Sequence, residues 1–219
     1  MIAKFIISNM IMPLLPEDSV SQALSMMSIY HVKDLPVVSN GILLGILSEE
    51  AATSVHPDTK VRDVKVSNSY TFVNTNDHIF EVLSRLAENK ITIVPVVDED
   101  EKFVGIVTQE SLIAFYAKSF SFTEPGSIVV IESSKRGYTL SEIARVIELE
   151  NVSVLASFLT EHENSEAVLI TLKLNKREIS SVIAALERYD YKISASFTED
   201  EFEDDMRDRY DQLMNYLNV

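Results

Sequence analysis

Two stretches of this sequence are near-copies of each other. Leu35-Pro36-Val37-Val38, followed by Gly45-Ile46-Leu47-Ser48, returns as Val94-Pro95-Val96-Val97, followed by Gly105-Ile106-Val107-Thr108. The prolines lie 59 residues apart and the glycines 60, so the second copy has gained one residue in the turn. A fixed period means that one supersecondary unit is used twice. The flanks agree. Val20, Ala23, Leu24 and Met27 fall at helical spacing behind Ser19, a candidate N-cap. Ile79, Val82, Leu83 and Leu86 repeat that spacing behind Asn76 or Asp77. Each helix leads to a β-rich run with a proline near its start, a tolerated strand position. Ser39-Asn40-Gly41 and Asp98-Glu99-Asp100-Glu101 are the turns, and Ser48 and Thr108 are candidate caps of the next helices. The unit is strand, helix, strand, turn, strand, helix. Its half-buried sheet needs a partner face, which the second copy supplies.

This pattern resembles the CBS domain, named for cystathionine β-synthase, over about residues 1–120, with repeats at about 1–60 and 61–120. The resemblance implies adenosine-containing ligands in clefts between the repeats, a homodimer and a regulatory task. A hydroxyl at a helix start can bond sugar or phosphate oxygens, and the free N–H groups there favour negative charge. Ser48 and Thr108 meet that requirement. By resemblance, Leu35 and Pro36, Val94 and Pro95, and the opening strands around Leu15 and Thr71 add contacts. Lys33 and His31 are the nearest basic groups for a phosphate. The family commonly places an aspartate three residues after the hydroxyl, to hold the ribose. Here those positions are Ala51 and Ser111, while Glu50 and Glu110 come one residue early, about 100° away on a helix. Thr108 with Ser111 keeps the greater bonding capacity, so the second cleft is the favoured one. All these residues also have plain structural roles, as sheet core or helix caps.

Residues 121–126 read as a linker with Pro-Gly punctuation. Beyond it the patterns run strand (127–132), helix (139–150), strand (152–160), strand (167–174), helix (176–189) and strand (191–197). That is the ferredoxin-like βαββαβ order, so the fold class expected for the whole chain is mixed α+β. The order and length of residues 127–197 resemble the ACT domain, an effector-binding module. The glycine of its first strand-to-helix turn matches Gly137, and the asparagine opening its second strand matches Asn151. The acidic residue usual before that glycine is absent. A turn alone would also require Gly137.

Residues 198–219 form an acidic tail. Glu199 to Asp211 holds eight acids and two arginines, yet Phe202, Met206, Tyr210, Leu213 and Leu217 recur at helical spacing. An amphipathic helix is expected there, docked on its own body, a sister subunit or a partner, with dimer docking preferred because a free helix this short is marginal in water.

The net charge of −15 argues against nucleic acid as a partner. The absence of cysteine excludes disulfides, thiolate metal sites and cysteine nucleophiles. His31, His56, His78 and His162 show no metal-ligand spacing, and the five glycines form no phosphate loop. No nucleophile elbow is present. Lys4 and the apolar residues after it outline a secretory signal, but Asn9 and Pro13 interrupt it. No apolar run is long enough to span a bilayer. The expectation is a cytoplasmic, non-catalytic regulatory protein with no membrane partner and no required cofactor. It resembles acetoin-utilisation-type CBS–ACT proteins, with an adenine nucleotide or S-adenosylmethionine as ligand and an unknown regulated protein. The alternative is an interaction module with decayed clefts that binds a protein through its tail.

Overall fold

The computed structural model describes residues 1–67, 71–135, 137–161, 167–198, 214 and 216. The chain divides into two units, Met1–Phe115 and Tyr116–Val219.

In the first unit the repeat becomes two matching hairpins. Strands β1 (Asp34–Ser39) and β2 (Ile42–Ser48) pair antiparallel, with Pro36 opposite Ile46 and Val37 opposite Gly45. Strands β4 (Ile93–Val97) and β5 (Phe103–Thr108) pair the same way, with Pro95 opposite Ile106 and Val96 opposite Gly105. Both hairpins bulge at the same place, between Val37 and Val38 and between Val96 and Val97. A leading segment runs parallel to the first strand of each. Leu14 bridges Val37, and β3 (Val73–Asn74) pairs with Val96 and Val97.

Further upstream the leading segments are exchanged. Ser8 pairs with Ile106 in the second hairpin, and Ser67 pairs with Ile46 in the first. This exchange accounts for the repeat glycines. A Cβ on Gly45 would lie 2.4 Å from the Ser67 carbonyl oxygen, and one on Gly105 would lie 2.5 Å from a methyl group of Ile7. Each glycine leaves room for a strand that comes from the other repeat.

Helices α1 (Val20–Tyr30) and α3 (Ile79–Asn89) bury their predicted stripes, except that Leu24 is half-buried and Leu83 is exposed. Ser19 caps α1 in a reciprocal box. Its hydroxyl accepts from the Gln22 N–H at 3.2 Å, and Gln22 Oε1 accepts from the Ser19 N–H at 2.8 Å. Replacing Ser19 by alanine should cost about 1 kcal/mol in a urea melt, with an unchanged fold. The cap of α3 is His78, not Asn76 or Asp77, because the Asp77 carboxylate closes a turn by accepting from the Asn74 N–H at 2.7 Å. Short α2 (Glu49–Thr53) and longer α4 (Gln109–Ser119) follow the two hairpins.

The second unit holds a four-stranded antiparallel sheet in the order β7-β8-β6-β9. Its strands are β6 (Ile128–Ser134), β7 (Val154–Glu161), β8 (Ala167–Leu174) and β9 (Lys192–Phe197). With α5 (Leu140–Leu149) and α6 (Ser180–Arg188) they make the ferredoxin-like βαββαβ order. One sheet face and both helices enclose the core, including Val129, Ile131, Ile143, Ile147, Leu172 and Leu186. Leu140 falls at helical spacing with the buried Ile143 and Ile147, yet it is 44% exposed at the first turn of α5. His162, the 163–166 turn and nearly all of the acidic tail lie outside the described residues.

Candidate functional site

The two helix starts that follow the hairpins each open onto a cavity, and the two cavities differ. The larger, about 660 Å³, lies at Thr108. That is well inside the range of small-molecule sites. Its apolar lining comes from both ends of the repeat pair: Met10 and Ile11, Ile29 and Val32, Ile113 and Ala114. Its polar lining includes Ser8, Thr92, Thr108 and Gln109, and His31 and Glu110 supply the charge-bearing groups. Among the described residues no lysine or arginine lines it. The smaller cavity, about 420 Å³, lies at Ser48. It is lined by Lys33 and Lys90 against Asp34, Glu49 and Glu50.

Local structure explains how these groups arrive. His31 and Lys90 both end their helices in the left-handed conformation, at φ 54° and 53°. Each therefore turns the chain toward a cleft. His31 reaches the Thr108 cavity and Lys90 the Ser48 cavity. Each cleft thus takes its helix start from one repeat and its helix end from the other.

At Thr108 the helix start is already well bonded. The Ser111 N–H donates to Thr108 Oγ1 at 3.0 Å, and the Ser111 hydroxyl donates to the Thr108 carbonyl at 2.9 Å. The Gln109 N–H donates to the Thr92 carbonyl at 3.1 Å. Ser48 is a plainer cap. It accepts from the Ala51 N–H at 3.2 Å, and the Glu49 N–H donates to the Lys33 carbonyl at 2.7 Å. The N–H groups left over at either helix start are fewer than a bare helix end offers, which lowers the attraction for an anion.

Between the clefts sits a group the sequence reading missed. Asp34 is 6% exposed, a buried carboxylate at the start of β1. Its Oδ2 accepts from the Thr92 N–H at 2.7 Å and from the Thr92 hydroxyl at 2.8 Å. Thr92 Oγ1 in turn accepts from the Lys33 N–H at 2.9 Å. A polar clasp therefore joins the two repeats where their clefts meet. The signal available was the 59-residue offset, which sets Thr92 opposite Lys33 and Lys90 opposite His31.

The other expected residues divide. Leu35, Pro36, Val94 and Pro95 are buried in their hairpins and line neither cavity. Thr71 is half-buried and lines neither, and Leu15 is 54% exposed. Lys33 and His31 face different clefts. Ser111 serves the cap rather than the cavity wall. In the second unit, Gly137 and Asn151 stand at opposite ends of α5. Gly137 belongs to a turn, its N–H donating to the Ser134 carbonyl at 3.0 Å. A Cβ there would lie 2.3 Å from the Ser134 hydroxyl, the end of an exposed side chain that can rotate away, so the turn does not by itself demand glycine. Asn151 takes the left-handed conformation at φ 57°, three residues before β7 begins. Among the described residues no cluster of three His, Asp or Glu side chains could hold a metal ion, and no helix is long and apolar enough to cross a membrane.

Comparison with known proteins agrees with this architecture. Inosine-5′-monophosphate dehydrogenase of Thermoplasma acidophilum is 27% identical over 173 residues, 78% of this chain and 34% of that one. The enzyme of the same name from Methanocaldococcus jannaschii is 28% identical over 100 residues, 45% of this chain and 20% of that one. The chain thus spans only 34% and 20% of the length of these curated relatives. A crystal structure of a CBS domain pair/ACT domain protein from Thermotoga maritima matches with a TM-score of 0.50 and 24% identity, over 54% of this chain and 98% of that chain, a likeness of fold. The family model of the CBS domain matches twice, over residues 6–55 and 61–118, so the chain belongs to the CBS domain family as a tandem pair.

Proposed function

We propose that this chain is a non-catalytic regulatory sensor whose Thr108 cleft takes an adenosine-containing ligand of low charge. The observation that carries this reading is the cavity of about 660 Å³ that both repeats build around the Thr108 helix start. Its apolar walls suit a purine ring, and its hydroxyls suit a sugar. The ligand class itself rests on the family resemblance. The charge preference rests on the lining, where Glu110 faces the site and, among the described residues, His31 is the one group able to carry positive charge. A carboxylate near a polyphosphate is repulsive in a partly desolvated site. Adenosine and AMP are therefore favoured over ATP. Val94, Pro95, Leu35 and Pro36 act here as the rigid sheet behind the clefts, and Ser48 with Lys33 forms a second, weaker site.

Signalling in this proposal is differential. The ligand touches both repeats, so it stabilises one arrangement of the pair over others. A homodimer and the ferredoxin-like unit, read as ACT-like, pass that shift to a regulated protein. A ligand indifferent to the arrangement would shift nothing.

A thermal-shift titration tests the site. Free ligand at 100 times Kd should add about 2.7 kcal/mol to the unit that binds it. Thr108→Val should weaken adenosine or AMP by about tenfold through loss of one polar contact, while costing about 1 kcal/mol of stability as a lost cap. Unchanged affinity in T108V removes Thr108 from the site, and tighter binding of ATP than of AMP overturns the charge argument. A second reading has its own observation. The Ser111 hydroxyl, at the position where the family holds ribose, is spent on the Thr108 carbonyl. On that reading the clefts are inert and the chain is an interaction module. A flat response to adenosine, AMP, ATP and S-adenosylmethionine at millimolar concentration would favour it.

A further inference from the structure

The ferredoxin-like sheet has a second face, turned away from its helices, and that face carries a buried cation. Lys173 on β8 is 9% exposed. Its ammonium donates to the Gly126 carbonyl at 3.2 Å, and among the described residues no carboxylate pairs with it. Nearby lysines are matched. Lys192 pairs with Glu132 and Lys135 with Glu161, each at 2.9 Å. An ammonium with one neutral acceptor leaves two donors unused.

The surroundings of Lys173 form a cavity of about 360 Å³ lined by Phe122, Ile128, Phe158, Thr171 and Lys173. Two causes put them together. The bulge between Val154 and Ala156 sets Phe158 opposite Thr171, on the face that also bears Lys173 and Ile128. The segment before β6 then lays aromatic rings over that face. Phe120 and Phe122 pack against Phe158 with ring centroids 5.5 and 5.6 Å apart. The result is an apolar pocket with one polar hydroxyl and one unpaired positive charge.

We propose that this pocket is a binding site for a small monocarboxylate with an apolar body, independent of any ligand in the CBS clefts. The carboxylate takes the two unused donors of Lys173, and the body lies against Phe122, Phe158 and Ile128. Charge-assisted bonds of this kind are the strong ones, and stronger still away from water. Among the described residues the lining has no acid to receive an α-ammonium group. The site therefore prefers a carboxylic or 2-oxo acid to the corresponding amino acid.

Binding of phenylacetate, phenylacetamide and phenylalanine to the full chain, followed by ligand-observed NMR and calorimetry, tests this. Phenylacetate should bind at millimolar or lower concentration and at least about tenfold tighter than its neutral amide, the margin of one charged hydrogen bond. Phenylalanine should bind more weakly than phenylacetate. Lys173→Met should erase the preference for the acid. Should K173M fail to fold, Phe158→Ala serves, and it should weaken acid and amide alike. Failure of phenylacetate to bind, equal affinity for acid and amide, or a preference that survives K173M would each overturn the proposal.

Discussion

Replacing Asp34 by alanine should destabilise the CBS pair by about 2–4 kcal/mol, the sum of a lost charged hydrogen-bond pair and the donors left behind. The carboxylate accepts two bonds from Thr92 in a setting that is 6% exposed. Alanine leaves the half-buried Thr92 N–H and hydroxyl without their acceptor. Hydrogen exchange of the β1 and β4 amides measures the loss. Asp34→Asn keeps one acceptor oxygen and should cost about half as much. The partnership has a sharper signature in a double-mutant cycle with Thr92→Val, where a coupling of about 0.5–3 kcal/mol is expected between directly bonded groups. Simple additivity, or a loss under about 0.5 kcal/mol for D34A, would show that the clasp contributes nothing to joining the repeats.

The second large effect concerns Gly126. Its φ is +150°, and a Cβ there would lie 2.0 Å from the Leu174 carbonyl oxygen, which belongs to the backbone of a core strand and cannot yield. The neighbouring Ser127 is fully buried and tied down, its N–H donating to the Lys176 carbonyl at 3.0 Å and its carbonyl accepting from the Leu174 N–H at 2.9 Å. Gly126→Ala should therefore cost about 4 kcal/mol or more, at the exceptional end for a single substitution. Protection of the β6 and β8 amides against exchange should fall accordingly. Gly41→Ala is the control. Its φ of +81° also disfavours a side chain, but nothing lies within 4 Å of the added atom. Its cost should stay near 1 kcal/mol. Equal effects at the two glycines would show that backbone preference, not collision, sets the penalty at Gly126.

Gly126 also shows where the sequence misleads. Beside Pro125 it reads as linker punctuation, since Pro-Gly marks turns wherever it occurs. Its collision partner, Leu174, is distant in sequence, so no local pattern reports it. The repeat was legible for the opposite reason. Pro36, Gly45, Pro95 and Gly105 recur in order, and the hairpins reproduce one register with one bulge in each. Caps at Ser19 and Ser48 were legible too, because a cap acts within three residues. Asp34 was not. Its counterpart is Ile93, so a search for what the two copies share passes over it. The exchanged leading strands left a trace, Ser8-Asn9 and Ser67-Asn68 at the same 59-residue offset, that is too short to stand out. The second unit was readable in element order but not in facing. Alternation from Val152 through Phe158 suggests one inward face, and the bulge after Val154 turns Phe158 to the other.

The inequality of the two copies has a consequence for how the chain would count ligand. One repeat offers the carboxylate of the clasp and the other the hydroxyl, and two lysines line one cleft while the apolar walls line the other. The two copies therefore present clefts with different linings rather than two equivalent ones. On the function proposed above, a single chain should fill with one molecule at low concentration, and its dose–response curve should be hyperbolic. Any steepness in the response would then originate between chains and not between the halves of one.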